Sequence, residues 1–142
     1  MGEDNVETLR ALFKDWSREA WTPEAWERGE MIDLSFFAPD VIYEDTILPD
    51  HGDEAYRGHE GLIRAARRWI EGTEWLQIKL EAISGEGDHL VSIQIVRSKA
   101  RHSGIELPVR FAYDWTFRDG KVVHFKSSIP EGTQQPTAAD SD

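Results

Sequence analysis

Two side chains in the sequence could act together as a base and a hydrogen-bond donor. Asp45 lies two residues after Tyr43, so in a strand both side chains share one face. Tyr113 alternates with Phe111 and Trp115 in a second segment of strand-like pattern. A carboxylate in an apolar pocket can remove a proton next to a carbonyl, and a phenol can donate to the oxyanion that forms. We therefore predict Asp45 as the catalytic base and Tyr113 as the donor.

Both residues also have simpler interpretations. Asp45 could line a pocket without catalysis, or accept hydrogen bonds from amides of the polar loop at residues 48–56. Tyr113 could be a core tyrosine that makes one structural hydrogen bond. The sequence leaves these alternatives open.

The orientation of Arg97 depends on the phase of its strand. It continues the alternation of apolar side chains in residues 91–95, which would aim it inward near the mouth of a pocket. There it could bind a carboxylate or neutralise Asp45. A β-bulge at Val96 would instead turn it outward.

The spacing of the histidines does not indicate a metal-binding site. None of the five has the spacing of a zinc-binding pair, so no metal site is predicted. His124 shares the parity of Lys126, which predicts the outer face of the sheet unless the last strand is shifted by one residue.

Three predicted helices precede or interrupt the strands. Apolar residues at spacings of three and four indicate a helix over residues 6–20 that includes Trp16. Thr22 reads as the N-cap of a short helix that ends near residue 29, and residues 31–37 form a third short piece. A clearer helix covers residues 58–72, with Trp69 on its apolar stripe.

Strands dominate the rest of the chain. One covers residues 41–46, and four more follow residue 74, at 76–82, 91–95, 111–117 and 123–128. Tight turns at residues 85–88 and 118–121 join neighbouring strands as hairpins. This order predicts an α+β fold, a curved and mainly antiparallel sheet shaped like a cone, with three to four helices on its concave side. Residues 1–130 would form a single domain, and 131–142 a disordered tail.

A cone of this kind encloses a cavity, which is the usual place for a small-molecule site. Besides the two catalytic candidates, we expect six residues to contact a small hydrophobic ligand. They are Trp16, Tyr43, Trp69, Arg97, Trp115 and Phe125.

Composition excludes several classes of function. The chain of 142 residues carries a net charge of -11, which disfavours binding to nucleic acids and anionic membranes. It has no cysteine, hence no disulfide framework or thiolate nucleophile, and no apolar run long enough to cross a membrane. No signal-peptide pattern is visible at the N-terminus, so a cytoplasmic location is expected. The acidic excess lies in residues 1–60, with 16 acidic and 5 basic side chains.

Four segments resemble the SnoaL-like family of the nuclear transport factor 2-like superfamily. They are residues 37–45, 56–61, 103–104 and 115–123, in the order and spacing of that family. The resemblance spans about residues 6–128 and implies a cystatin-like α+β barrel that often forms homodimers through the convex face of its sheet. Arg110 and Asp114 could form pairs across such an interface.

The superfamily contains polyketide cyclases, ketosteroid isomerases, dehydratases and proteins without a known reaction. Asp45 falls at the position of the isomerase base, whereas Tyr113 lies close to the place of the second isomerase acid. The first helix has Trp16 and Phe13 but no tyrosine for the isomerase oxyanion hole. Two of three roles thus depart from the isomerase pattern, and that exact activity is not expected.

The resemblance and the predicted pocket together suggest a small-molecule enzyme that needs no cofactor. Its reaction would be a cyclisation, isomerisation or dehydration of a hydrophobic carbonyl compound, as in a polyketide cyclase-like isomerase or lyase. The alternative is a non-catalytic binding or dimerisation module of the same fold.

Overall fold

Helices and strands alternate early in the chain, and strands alone follow. The computed structural model describes residues 2–18, 20–27, 32–45 and 55–129. Its helices are α1 Gly2–Trp16, α2 Pro23–Glu27 and α3 Gly58–Glu71, with a 3-10 helix at Leu34–Phe36. Its strands are β1 Phe37–Glu44, β2 Ala55–Arg57, β3 Thr73–Glu86, β4 His89–Ala100, β5 Glu106–Arg118 and β6 Lys121–Ser128.

The six described strands form one sheet in the order β2-β1-β6-β5-β4-β3. Strands β1 and β6 pair in parallel, and the other neighbours are antiparallel. Register shifts interrupt the β1–β6, β3–β4 and β5–β6 pairings, and such bulges bend a sheet. The predicted α+β fold with a curved, mainly antiparallel sheet is confirmed.

The N-terminal helices have the predicted apolar pattern, but α1 ends at Trp16 and not at residue 20 as predicted. Leu9, Leu12, Phe13 and Trp16 are buried on one face of α1, and charged residues occupy the other. Thr22 caps α2, because its hydroxyl accepts a hydrogen bond from the amide of Ala25 at 3.0 Å.

Two elements near β1 differ from the prediction. Residues 31–37 were expected to be helical up to the proline, but within them the structure has only the 3-10 helix, and β1 already begins at Phe37. Pro39 lies inside β1, at the irregular part of its pairing with β6. A proline fits there because it has no amide to donate to a regular ladder. The short strand β2 falls partly within residues 48–56, which were expected to form a loop.

Helix α3 packs directly against the backbone of β2. A Cβ atom added to Gly61 would lie 2.8 Å from the carbonyl carbon of Tyr56, so only glycine allows this approach. The helix ends at Gly72, as predicted. This close packing places one face of α3 over the concave side of the sheet.

The β5–β6 hairpin turns through Asp119 and Gly120, as predicted. Their φ angles of 54° and 78° correspond to a type I′ turn, which suits the twist of a two-residue hairpin. The turn pairs Arg118 with Lys121, and a register shift between Thr116 and Phe117 then brings Trp115 opposite Phe125 across the two strands.

Two further expectations concern the whole chain. The single domain over residues 1–130 stays a prediction, and the predicted tail at 131–142 lies outside the described residues. None of the helices in the described ranges is both long and apolar enough to cross a lipid bilayer.

Candidate functional site

A cavity lies between the helices and the concave face of the sheet. Its empty volume is about 600 Å³, which includes the part of its mouth that is open to solvent. The lining is almost entirely aromatic and aliphatic, and comprises Trp16, Trp21, Ile32, Phe37, Tyr43, Leu62, Ala65, Ala66, Trp69, Leu76, Ile78, Val96, Phe111, Tyr113 and Phe125.

Helix α3 contributes one wall through a regular spacing. Leu62, Ala65, Ala66 and Trp69 recur at intervals of three and four and therefore lie on one face. The two alanines leave room beneath the helix, while the indole of Trp69 packs edge-on against Phe111 at 5.4 Å between ring centroids. The helix thus forms both the empty space and part of its aromatic wall.

The sheet contributes a continuous aromatic surface. Tyr43 of β1 stacks on Phe125 of β6 at 4.4 Å, and Tyr113 of β5 meets both rings edge-on at 6.2 and 5.6 Å. Phe125 also stacks on Trp115 at 4.7 Å. Alternation along three neighbouring strands places these rings on the concave side. Such a surface is suited to a flat apolar molecule.

Asp45 lies at the end of β1 and is 6% exposed. The indole nitrogen of Trp69 donates to Oδ2 of Asp45 at 3.0 Å, and the hydroxyl of Ser127 donates to Oδ1 at 3.3 Å. Asp45 is not itself among the residues that line the cavity. It contacts the cavity wall through Trp69, and its charge acts on the tyrosine hydroxyls of Tyr43 and Tyr113.

Tyr43 and Tyr113 place two hydroxyl groups in the interior next to Asp45. Burial, with the negative charge of Asp45 as a further cause, raises the pKa of Tyr113 above its ordinary value. Burial raises the pKa of Tyr43 well above its usual range, and its neighbours Tyr113 and Asp45 add to the effect. Both phenols are therefore neutral at physiological pH and able to donate a hydrogen bond.

These raised tyrosine pKa values predict that the protein loses stability at alkaline pH. A group that binds its proton more tightly when folded stabilises the fold fully below its unfolded pKa, near 10 for tyrosine. That stability is lost as pH rises toward the folded pKa. Urea unfolding from pH 8 to 11 should show a free energy of unfolding that falls above pH 10, by at most about 1.4 kcal/mol per pH unit for each tyrosine.

The Tyr113→Phe variant isolates one contribution to this slope. It keeps the ring packing and every other titrating group, so its slope above pH 10 should be shallower than that of the wild type. Identical slopes in the two proteins would show that Tyr113 does not contribute.

The structure places most of the predicted ligand contacts at the cavity. Four of the six, Trp16, Tyr43, Trp69 and Phe125, line it, and so does the catalytic candidate Tyr113. Their roles in binding or catalysis stay predictions.

Trp115 lies beneath the cavity rather than in its lining. It is fully buried, and its indole nitrogen donates to the hydroxyl of Ser92 at 2.8 Å. Ser92 in turn donates to Oε1 of the fully buried Gln94 at 2.9 Å. Trp115 therefore stacks on Phe125 and begins a buried series of hydrogen bonds that continues through Ser92 to Gln94.

The inward orientation predicted for Arg97 is wrong. The buried side chains of β4 are Leu90, Ser92, Gln94 and Val96, so Arg97 has the opposite parity and is exposed. It lies beside Lys79 and Trp75 in an open surface depression. A bulge at Val96 does not explain the outward orientation of Arg97, because the even-numbered residues face inward from Leu90 to Val96.

Several lining residues were not recognised as such in the sequence. Phe37 was expected in a short helix, and Val96 was expected on the outer face. Leu62, Phe111, Leu76 and Ile78 belonged to correctly predicted apolar stripes, which could have identified them. The paired alanines at 65 and 66 were a further signal, because small residues on an inward helix face leave empty space.

Charged groups on the convex face pair within the chain. His124 and Glu44 lie 2.6 Å apart across β6 and β1, in agreement with the outward parity expected for His124. Arg110 binds Glu81 at 2.7 Å, and this hydrogen bond lowers the pKa of the Glu81 carboxyl. Asp114 lies 3.8 Å from His89. A homodimer through this face stays a prediction.

Metal ligands do not cluster in the part of the chain that the structure describes. No group of three histidine, aspartate or glutamate side chains there could hold an ion.

Comparison with known proteins gives one family and several similar folds. The model of the SnoaL-like domain matches residues 18–125. No curated protein matches the chain. A solved NTF2-like protein of unknown function from Burkholderia pseudomallei is similar, with 21% identity, coverage of 89% of this chain and 91% of the other, and a TM-score of 0.67.

Two further solved structures are similar over most of their length. One is a candidate SnoaL-like polyketide cyclase from Jannaschia sp. CCS1, with 21% identity, coverage of 89% and 85%, and a TM-score of 0.68. The other is TerC, co-crystallized with polyporic acid, with 18% identity, coverage of 89% and 92%, and a TM-score of 0.69. At these identities the structures establish the fold.

Proposed function

The chain belongs to the SnoaL-like family of the NTF2-like superfamily, and on that premise we propose that it binds a flat hydrophobic carbonyl compound and transfers a proton on it. The observation that carries this proposal is the aromatic cavity that Tyr43 and Tyr113 line, with the buried carboxyl group of Asp45 hydrogen-bonded to Trp69 of its wall. Cyclisation, isomerisation and dehydration all fit such a site, because each can begin with proton removal next to a carbonyl.

The cavity supports the binding part of the proposal. Its lining offers aromatic faces from several directions, and flat rings stack well on such faces. TerC was crystallised with polyporic acid, and this likeness favours an aromatic oxygenated ligand. Among the residues that the structure describes, the lining includes no Lys, Arg, Asp or Glu, and a neutral compound fits these residues better than a charged one.

Asp45 and Tyr113 support the catalytic part. Asp45 is a buried carboxylate whose partners Trp69 and Ser127 fix its position. Tyr113 stays protonated and can stabilise a developing oxyanion. In the proposed reaction Asp45 takes a proton from the carbon next to the carbonyl, and Tyr113 donates to the carbonyl oxygen.

A second function is favoured by a specific feature of the same residues. Both oxygens of Asp45 accept hydrogen bonds from side chains, and Asp45 does not line the cavity. These facts favour a binding module in which Asp45 holds the indole of Trp69 in place and no reaction occurs. Both functions involve binding of the same ligand, but only the first includes a reaction.

Ligand binding can be tested with a small aromatic ketone and with the purified protein itself. Native mass spectrometry should detect a co-purified neutral compound, or a 1:1 complex after addition of 1-tetralone. The same spectra report the subunit count and so test the predicted homodimer. We expect 1-tetralone to raise the melting temperature, with a stabilisation that grows as the logarithm of its concentration over its dissociation constant. No co-purified compound and no 1-tetralone complex at millimolar concentration would refute the proposal.

A further inference from the structure

The indole nitrogen of Trp16 is a buried donor without a partner among the residues that the structure describes. Trp16 is 7% exposed, and its Nε1 atom has neither solvent contact nor a hydrogen bond. Three other indoles of the interior each donate, Trp21 to the carbonyl of Trp16, Trp69 to Asp45 and Trp115 to Ser92. A buried donor left unpaired costs about 1–3 kcal/mol, so Trp16 calls for a specific explanation.

The position of Trp16 connects this donor to the cavity. Its ring lines the cavity wall and packs edge-on against Tyr113 at 6.5 Å and against Trp21 at 6.0 Å. Phe37 stacks on it at 6.3 Å. The unpaired donor therefore belongs to a residue of the cavity wall, and a molecule inside would lie against the ring that carries it.

A second buried polar atom belongs to the sheet side of the cavity wall. The hydroxyl of Tyr43 is buried and makes no hydrogen bond of good geometry, although Tyr113 and Ser127 lie near it. The ring of Tyr43 packs on the same Tyr113 ring, at 6.2 Å. Two incompletely paired groups therefore flank one central phenol. An indole N–H can only donate, so the group that satisfies Trp16 must be an acceptor.

We infer that the ligand of this cavity presents an acceptor oxygen to the indole N–H of Trp16, which makes Trp16 a specificity-determining residue. The inference rests on the proposed function, since it concerns the ligand of the same cavity. Trp16 of α1 would then recognise an uncharged oxygen of the ligand. This role is separate from those proposed for Asp45 and Tyr113. A hydrocarbon of the same shape would leave the N–H unpaired and bind more weakly.

The test compares 1-tetralone with tetralin, which has the same bicyclic frame without the oxygen. Isothermal titration calorimetry should show that the wild type binds 1-tetralone about tenfold more tightly, as expected for one hydrogen bond of about 1.4 kcal/mol. In the Trp16→Phe variant the ratio of the two dissociation constants should fall to about threefold or less. Melting curves of both variants show that they are folded at the temperature of the titration.

Trp21→Phe is the matched control. Trp21 also lines the cavity, but its N–H is already paired with the carbonyl of Trp16, so its loss should leave the tenfold ratio unchanged. Equal binding of both compounds by the wild type, or a ratio that survives in Trp16→Phe, overturns the inference alone. Failure of the wild type to bind either compound refutes the proposed function as well. An equal loss of the ratio in both variants points to general disturbance of the cavity and also overturns the inference.

Discussion

The Asp45→Asn variant is expected to lose at least a hundredfold in rate with a simple proton-abstraction probe. The probe is 5-nitrobenzisoxazole, a flat aromatic compound whose ring opens when a base removes the proton on C3. The C–H electron pair forms the nitrile, the N–O bond breaks, and the electrons pass to the oxygen of the released phenolate. General-base catalysis contributes about 10²–10⁴-fold, and an amide cannot act as the base.

Two further variants, Tyr113→Phe and Glu44→Gln, are compared with Asp45→Asn in the same assay. Tyr113→Phe removes a donor to the departing phenolate and should lower the rate about tenfold. Glu44→Gln removes the neighbouring carboxylate, which is paired with His124, and should leave the rate unchanged. Melting curves are needed for Asp45→Asn, because its amide can accept from only one of Trp69 and Ser127 and leaves the other donor unpaired.

The outcome separates the two proposed functions. A wild-type rate no higher than that of acetate at equal concentration would favour the binding module. So would full activity in Asp45→Asn with unchanged binding of 1-tetralone. In that case Asp45 would be a positioning residue for Trp69, and its replacement would change the fluorescence of that indole rather than any rate.

Filling the cavity from α3 should have the second large effect. Ala66→Phe places a ring in the empty space under the helix and should weaken 1-tetralone binding by at least a hundredfold. Ala66 lines the cavity, so the ring would fill empty space and add buried apolar surface. We expect a melting temperature equal to or above that of the wild type. Calorimetry and thermal denaturation measure the two effects separately.

Ala11→Phe is the control for this change. Ala11 is exposed on α1 and does not line the cavity, so the substitution adds a ring without filling the site. Its binding of 1-tetralone should match that of the wild type. Undiminished binding in Ala66→Phe would mean that the ligand lies elsewhere.

The fold could be predicted because local patterns and tertiary structure agree along most of the chain. The apolar stripe of α1, the cap at Thr22 and the turn at Asp119 and Gly120 are all decided by near neighbours in sequence. Hence element types and order were predictable. The short strand β2 was missed because its pairing with β1 is the only feature that distinguishes it from loop.

The phase of β4 shows where pattern reasoning failed. Apolar side chains at 91, 93 and 95 suggested the inner face, but the structure buries Ser92 and Gln94 instead. The indole of Trp115 pairs with Ser92, which pairs with Gln94, so these polar groups are tolerated inside. The partner that makes this possible lies 23 residues away, beyond the reach of a local pattern. Arg97 was misplaced by the same error.

The candidate site was predictable in part. Strand parity placed Asp45 and Tyr113 among the buried residues, and both are buried. The hydrogen bonds that Asp45 accepts come from Trp69 of α3 and Ser127 of β6, and no spacing in the sequence predicts them. The catalytic roles of Asp45 and Tyr113 stay predictions, which the variants described above test.

The parallel pairing of β1 with β6 also bears on how the molecule folds. Tyr43 pairs with Phe125, so β1 has no neighbour on its inner side until residues 121–128 have been made. The hairpins of β3 to β6 can form from local contacts, and β1 can pair locally with β2, but joining β1 to β6 requires a closure over about 80 residues. The cavity wall is therefore completed last. A newly synthesised chain exposes its aromatic surface until that step, which makes the β1–β6 seam the slow and aggregation-prone part of folding.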